Sequence, residues 1–232
     1  MYEVLDKNIL IVGFTGKAKS GKSTAANAAG QYLLHNYGIP VCTKAFADPI
    51  REIGHIFGFT NEQLNYQEFK EKVDERWGIS PRKFMQLVGS EMFRTHIGPD
   101  VWIKHMFGIG IPKWVDDVKN HSVYALDREC AAKPIYACMI GDVRFKNEAD
   151  AIHNRGGLII RINRPDVDDI SNGVQNHASE KEFDLIQPDI VIDNIFSSVQ
   201  EYRDFMAQRV KGLIMQNPQW SKQLVYQSNL SR

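Results

Sequence analysis

The sequence predicts an α/β fold organised around a phosphate-binding loop, on three observations. Ile9-Leu10-Ile11-Val12 is a short β-branched run of the kind buried on both faces of a parallel sheet. Gly16-Lys17-Ala18-Lys19-Ser20-Gly21-Lys22-Ser23-Thr24 follows it with the full G-x-x-x-x-G-K-[ST] spacing. Ala25 to Leu34 is alanine-rich and suits a helix. Strand, loop and helix in that order supply the context that a glycine-rich turn alone lacks.

The loop residues divide the work. Gly16 and Gly21 allow a tight turn and bring backbone N–H groups close to phosphate oxygens, where a Cβ would collide. Lys22 can reach the β- and γ-phosphates of a nucleotide, Ser23 can ligate Mg²⁺, and the helix directs its positive end at the same anion. The whole stretch Gly16 to Thr24 is therefore the candidate nucleotide site.

A chain of 232 residues can form one α/β domain with insertions or two small domains; one is the simpler reading. It would run over 1–212, with its core in 8–48, 134–165 and 188–212. A helical segment at 49–107, an irregular insertion at 108–133 and a lid-like segment at 166–187 interrupt that core, and 213–232 is a tail. Lys+Arg 28 against Asp+Glu 28 gives a formal charge of zero, which argues against a broad nucleic-acid surface and for a small partner. No apolar run approaches the roughly 20 residues that span a bilayer, and the N-terminus lacks a signal-peptide pattern, so the expected place is a cytoplasm. Cys42, Cys130 and Cys138 are too few and too irregular for a disulfide framework or a zinc site. They receive no chemistry.

Beyond the loop, the first helix ends near Gly38-Ile39-Pro40 and Val41 to Phe46 reads as a second strand. Asp48, before Pro49, is either a helix N-cap or a carboxylate at the strand edge where ligands collect; the two are compatible. Ile50 to Trp77 is charged and mostly helical, with a second start at Thr60. Ser80-Pro81 opens a helix with Phe84, Leu87, Val88 and Met92 at core spacing and Gln86, Ser90 and Arg94 along another side. That side is either a wet surface or a ligand face on which Arg94 takes a phosphate and Gln86 and Glu91 read a base edge. Gly89 within it requires something packed closely, and Trp102 is core or a stacking platform.

Gly108 to Lys133 shows little periodicity and reads as irregular, with a short hairpin at most. Ile135 to Ile140 is a third strand, leading to Asp142 and Arg144, which form a structural ion pair or a metal-water carboxylate with a cation facing the same cleft. Asn147 to Asn154 is a short helix and Leu158 to Ile162 a fourth strand. After it, Arg164 is a better candidate than Arg161 to stabilise a moving phosphoryl group, since Arg161 lies inside the strand and can snorkel. Asp189 to Asp193 is a fifth strand. Ser197 to Val210 closes the domain, with Val199, Tyr202, Phe205 and Met206 along one side.

Four runs behind the loop carry a resemblance: Phe46-Ala47-Asp48-Pro49; Gln86 to Glu91 with Arg94 and Asp100-Val101-Trp102; Asp142 to Ala149; and His177-Ala178-Ser179-Glu180. Together they resemble the bacteriophage deoxynucleoside monophosphate kinases. The resemblance implies a three-layer P-loop NTPase fold, adenylate-kinase-like, with a five-stranded parallel sheet and helices on both faces. It implies ATP as phosphoryl donor with Mg²⁺, a deoxynucleoside monophosphate as acceptor, and a virus-encoded enzyme in a host cytoplasm. In that scheme Lys22, Asp142, Arg144 and Arg164 are catalytic, and Ser23 and, through water, Asp142 hold the metal. Asp48, Gln86, Glu91, Arg94, Trp102 and Arg144 meet the acceptor. No direct nucleic-acid or membrane partner is expected, and monomer and homodimer both stay open. Another P-loop small-molecule kinase, such as one for dephospho-coenzyme A, and a P-loop ATPase switch are the alternatives.

Overall fold

The computed structural model describes residues 8–121, 135–165, 182, 184–216 and 221. The chain divides into two compact units, one made of Met1–Ala45 with Gly110–Arg232 and the other of Phe46–Ile109.

The first unit holds a parallel sheet of β1 (Ile9–Thr15), β2 (Val41–Lys44), β3 (Tyr136–Ile140), β4 (Leu158–Asn163) and β5 (Ile190–Asp193), in the order β2-β3-β1-β4-β5. β1 is central and every one of its residues is buried. Side chains alternate along a strand, so β1 must satisfy two faces. Leu10, Val12 and Phe14 join Ala25, Ala29 and Leu33 of α1 (Lys22–Tyr37), with Met206, Val210 and Ile214 of the last described helix, in one core. On the other face Gly13 makes room for α9 (Lys146–His153): a Cβ there would lie 2.8 Å from Ile152 Cδ1. Trp114 of α8 (Ile111–His121) sets its ring edge-on to Tyr136, 5.8 Å between centroids, and Tyr136 pairs with Ile9 across from the first core. Helices thus cover both faces, giving the three layers and five parallel strands expected.

Three expectations are corrected here. The insertion is not irregular from Gly108 onward: Ile111–His121 is helix, with Ile111 and Val115 buried and Trp114 and Val118 half-buried at helical spacing. Gly108, Gly110 and Pro112 read as breakers, yet proline fits a first turn. The closing helix, α10 (Val199–Gln216), buries Tyr202, Met206, Val210 and Ile214, whereas Val199 and Phe205 are exposed. It also runs past Gly212, so the first residues beyond it belong to the core. Cys130 and residues 122–133 lie outside the described residues, whereas Cys42 and Cys138 are buried free thiols.

The second unit is helical: α2 (Asp48–Ile56), α3 (Asn61–Asn65), α4 (Gln67–Lys70), α5 (Pro81–Gln86), α6 (Phe93–His96) and α7 (Val101–His105). Thr60 closes a capping box, its Oγ1 accepting the Gln63 N–H at 3.3 Å while the Gln63 side chain accepts the Thr60 N–H at 2.9 Å. Phe59 and Phe57 pack on Phe84 with centroids 4.9 and 5.1 Å apart. Gly89 does answer a close neighbour, since a Cβ would meet Ile50 Cδ1 at 2.7 Å. Between α5 and α6, Leu87–Met92 forms a π-helical turn. Its i→i+5 bonds lengthen the repeat, so the α-helical core spacing fails at Met92, which is 55% exposed.

Candidate functional site

The loop after β1 has the backbone its glycines predict. Gly16 has φ 148°, and a Cβ on it would lie 2.3 Å from the Ile162 carbonyl oxygen. Gly21 has φ 101°, and a Cβ there would lie 2.6 Å from Asn194 Nδ2 and 3.0 Å from the Tyr202 ring. Lys19 is the one non-glycine residue with positive φ among the described residues, the kind of backbone strain that collects at functional loops. Ser20 is buried. The Lys22 amine donates to the Lys17 carbonyl and lies 3.5 Å from Ser20 Oγ, while Ser23 is exposed on the first turn of α1.

Electrostatics joins this loop to the turn after β3. The Lys22 amine is lowered to about 8, chiefly by burial and then by the Arg144 guanidinium, with the Asp142 carboxylate opposing. The two residues singled out from sequence are therefore near enough to be felt by the loop lysine. Their turn is pinned at several points: Gly141 N–H donates to Lys44 O at 3.0 Å and Val143 N–H to Phe14 O at 3.1 Å. Glu148, 1% exposed, accepts the N–H groups of Arg144 at 2.9 Å and Phe145 at 3.1 Å. This is half of a capping box, closed by the N3 glutamate without a Ser or Thr cap. Sequence reasoning passed over Glu148, although a glutamate three residues into a helix is the signal that would have found it.

Arg161 lies in β4 and its Nη2 donates to Ile186 O at 2.7 Å, tying that stretch to the sheet. Arg164 is half-buried just beyond β4. Residues 166–181, with His177, Ser179 and Glu180, lie outside the described residues. Two more residues were missed: Asn194 Nδ2 donates to Ser20 O at 2.9 Å, and Tyr202 packs on Gly21, its phenol pushed up by burial. No local pattern announces a contact across 174 residues.

The second unit carries the remaining candidates. Ala47, not Asp48, is the N-cap of α2; Asp48 is its first residue and pairs with Arg51 at 2.8 Å. Gln86 is half-buried, and Glu91 is exposed and paired with Lys83 at 2.9 Å. Arg94 Nη1 donates to Pro99 O at 2.9 Å. Trp102 is core: it is buried, its Nε1 donates to Gly89 O at 2.8 Å, and its ring lies 5.0 Å from Phe93. Among the described residues no helix is long and apolar enough to cross a membrane.

Comparison with known proteins adds a family. A sequence profile described as deoxynucleotide monophosphate kinase matches residues 50–203. A protein of Acanthamoeba polyphaga mimivirus, provisionally named a deoxynucleotide monophosphate kinase, is 35% identical over 184 residues, covering 77% of this chain and 87% of its own. Among solved structures, APE1195 gives a TM-score of 0.40 at 15% identity, covering 90% of this chain and 98% of its own. Shikimate kinase from Aquifex aeolicus gives 0.37 at 14% identity, covering 90% and 100%. Those two scores are too low to carry an argument, and the sheet order stands without them. From the profile and the viral relative, the chain belongs to the deoxynucleotide monophosphate kinase family and is a phosphotransferase that acts on a small nucleotide.

Proposed function

We propose that this chain transfers the γ-phosphoryl group of ATP to the phosphate of a deoxynucleoside monophosphate, giving a deoxynucleoside diphosphate and ADP. The observation that carries the reading is the charge set at the loop: Lys22 within the field of a second cation, Arg144, and a carboxylate, Asp142. A single nucleotide is served by the loop and Lys22; a further arginine suits a second phosphate-bearing substrate.

An oxygen of the acceptor phosphate attacks the γ-phosphorus, the bond to the β,γ-bridging oxygen breaks, and ADP leaves with that electron pair. Both reacting oxygens are phosphate oxygens, already ionised near neutral pH, so positioning and charge neutralisation supply the rate. Lys22 and the N–H groups of Gly16 to Thr24 hold the donor phosphates. Arg144 takes charge on the acceptor side and Arg164 on the moving group. In the second unit Arg94, its fork oriented by Pro99 O, takes the acceptor phosphate, and Asp48, Gln86 and Glu91 read the nucleoside. Trp102 holds Gly89 and Phe93 in the core of that unit.

The donor set also fits Mg²⁺. Among the described residues no group of three or more His, Cys, Asp or Glu could hold a metal. The exposed Ser23 hydroxyl and the half-buried Asp142 carboxylate would be the hard oxygens that hold such an ion, Asp142 through water. Bound there, Mg²⁺ would neutralise phosphate charge.

ADP production from Mg·ATP with dGMP, dTMP, dCMP, dAMP and their ribose counterparts, beside a no-acceptor control, tests the reading. Diphosphate formation with at least one deoxynucleotide is expected. Acceptor-independent turnover without a diphosphate would instead make the chain an ATPase.

A further inference from the structure

We propose that Asn194, just past β5, is a positioning residue that sets the phosphate loop for polyphosphate by turning one of its peptide groups. This rests on the reading of residues 16–24 as a polyphosphate cradle. The argument begins with peptide geometry: in a trans peptide the carbonyl oxygen of one residue and the N–H of the next point in opposite directions. The peptide joining Ser20 to Gly21 is held by its oxygen, which accepts from Asn194 Nδ2 at 2.9 Å. Its N–H, that of Gly21, therefore points away from the junction of β5 and α10.

Asn194 is itself fixed. Its backbone N–H donates to Asn163 O at 2.7 Å, and the residue is 9% exposed. A buried amide donor aimed at a loop carbonyl holds that peptide in one orientation, since flipping it would leave both groups without partners. Chemistry selects the residue type: aspartate of the same shape would set an oxygen against an oxygen, and leucine would leave the carbonyl unpaired. Geometry also explains the partner position, because Asn194 Nδ2 fills the space where any Cβ on residue 21 would stand, 2.6 Å away. Glycine at 21 thus admits the asparagine as well as the turn.

The test uses the full chain with inorganic tripolyphosphate and ATP as probes. Asn194→Leu should raise the Kd of both by about 10–100-fold, the range for losing one oriented donor to a charged group. With tripolyphosphate present, amide hydrogen exchange at Gly21 should be selectively faster in Asn194→Leu than in the wild type, while amides in α1 such as that of Ala29 keep their protection; a general loss of stability would quicken both. Asn194→Asp should lose at least as much. In the wild type, tripolyphosphate should slow exchange at Gly21, and an unprotected Gly21 amide overturns the proposal without any variant. If the wild type binds neither probe, the cradle reading fails and takes this proposal with it. If the wild type binds and Asn194→Leu binds equally well, the cradle stands and the role of Asn194 is lost.

Discussion

Each of the two units of this chain is held together internally, at different sequence distances. In the sheet unit the loop is secured from a distant part of the chain, by Asn194 on Ser20 across 174 residues, although the turn that carries Arg144 is fixed locally by Glu148. In the helical unit the side-chain ties are local: Trp102 reaches Gly89 across 13 residues, Arg76 reaches Gly58 across 18 and Trp77 reaches Phe57 across 20. Ties that span the chain form only with the whole fold, whereas local ties can open and close in a small region. A donor cradle benefits from the first kind, because catalytic donors must be preorganised. On the proposed function, the helical unit would carry an acceptor surface, which admits a replaceable substrate and would tolerate the second.

The largest expected effect breaks the cradle. Lys22→Met should lower turnover by about a thousandfold or more, the scale of a lost charge-stabilising donor; near-normal ADP production would remove Lys22 from the mechanism. Next, Arg94→Ala should raise the KM for the acceptor roughly 10–100-fold, as for a charged hydrogen bond, with the KM for ATP unchanged. Equal rises in both constants would mean that the helical unit is not specific to the acceptor, and the contrast would collapse.

Stability separates the units more finely. Trp102→Phe leaves the Gly89 carbonyl without its indole donor and should cost about 1–3 kcal/mol. Hydrogen exchange should then rise within residues 87–97 and stay unchanged in β1. Equal rises in both would show that the local ties are not local in effect.

The smallest signal is a fraction of a proton. Lys22 in the folded chain titrates at about 8 against 10.5 for the ordinary amine. Unfolded chain therefore binds more protons between those values, and stability gained from Lys22 rises with pH through that window, the penalty being complete below pH 8. Polyphosphate favours the charged amine, so nucleotide binding near pH 8.5 should take up protons and binding at pH 6 should not. Calorimetry in two buffers of different ionisation heat reads this directly. Absence of uptake near pH 8.5, or its persistence in Lys22→Met, would dissociate the proton from this lysine.

Much of the sheet unit was legible from local rules. Short apolar runs marked all five strands, and the spacing from Gly16 to Ser23 marked the loop. Asp142 and Arg144 were singled out because strand ends gather ligands, and both lie within electrostatic reach of Lys22. What escaped follows from what local rules omit. A π turn adds a residue to the helical repeat without a compositional sign, so Met92 was placed in a core it does not enter. Breaker residues hid Ile111–His121, because Gly110 and Pro112 weigh against a helix unless its first turn is known. Asn194 and Tyr202 act on the loop through folding alone, and no spacing encodes such an encounter.

The central place of β1 has a consequence for biosynthesis. This strand emerges first from a ribosome, yet its sheet partners are β3, beginning at Tyr136, and β4, beginning at Leu158. At about 5–20 residues per second, Ile9 to Thr15 waits on the order of ten seconds for its first neighbour. For that interval a strand that the finished fold buries at every residue is an unpaired apolar segment, the kind of exposed surface that makes a nascent chain prone to aggregate.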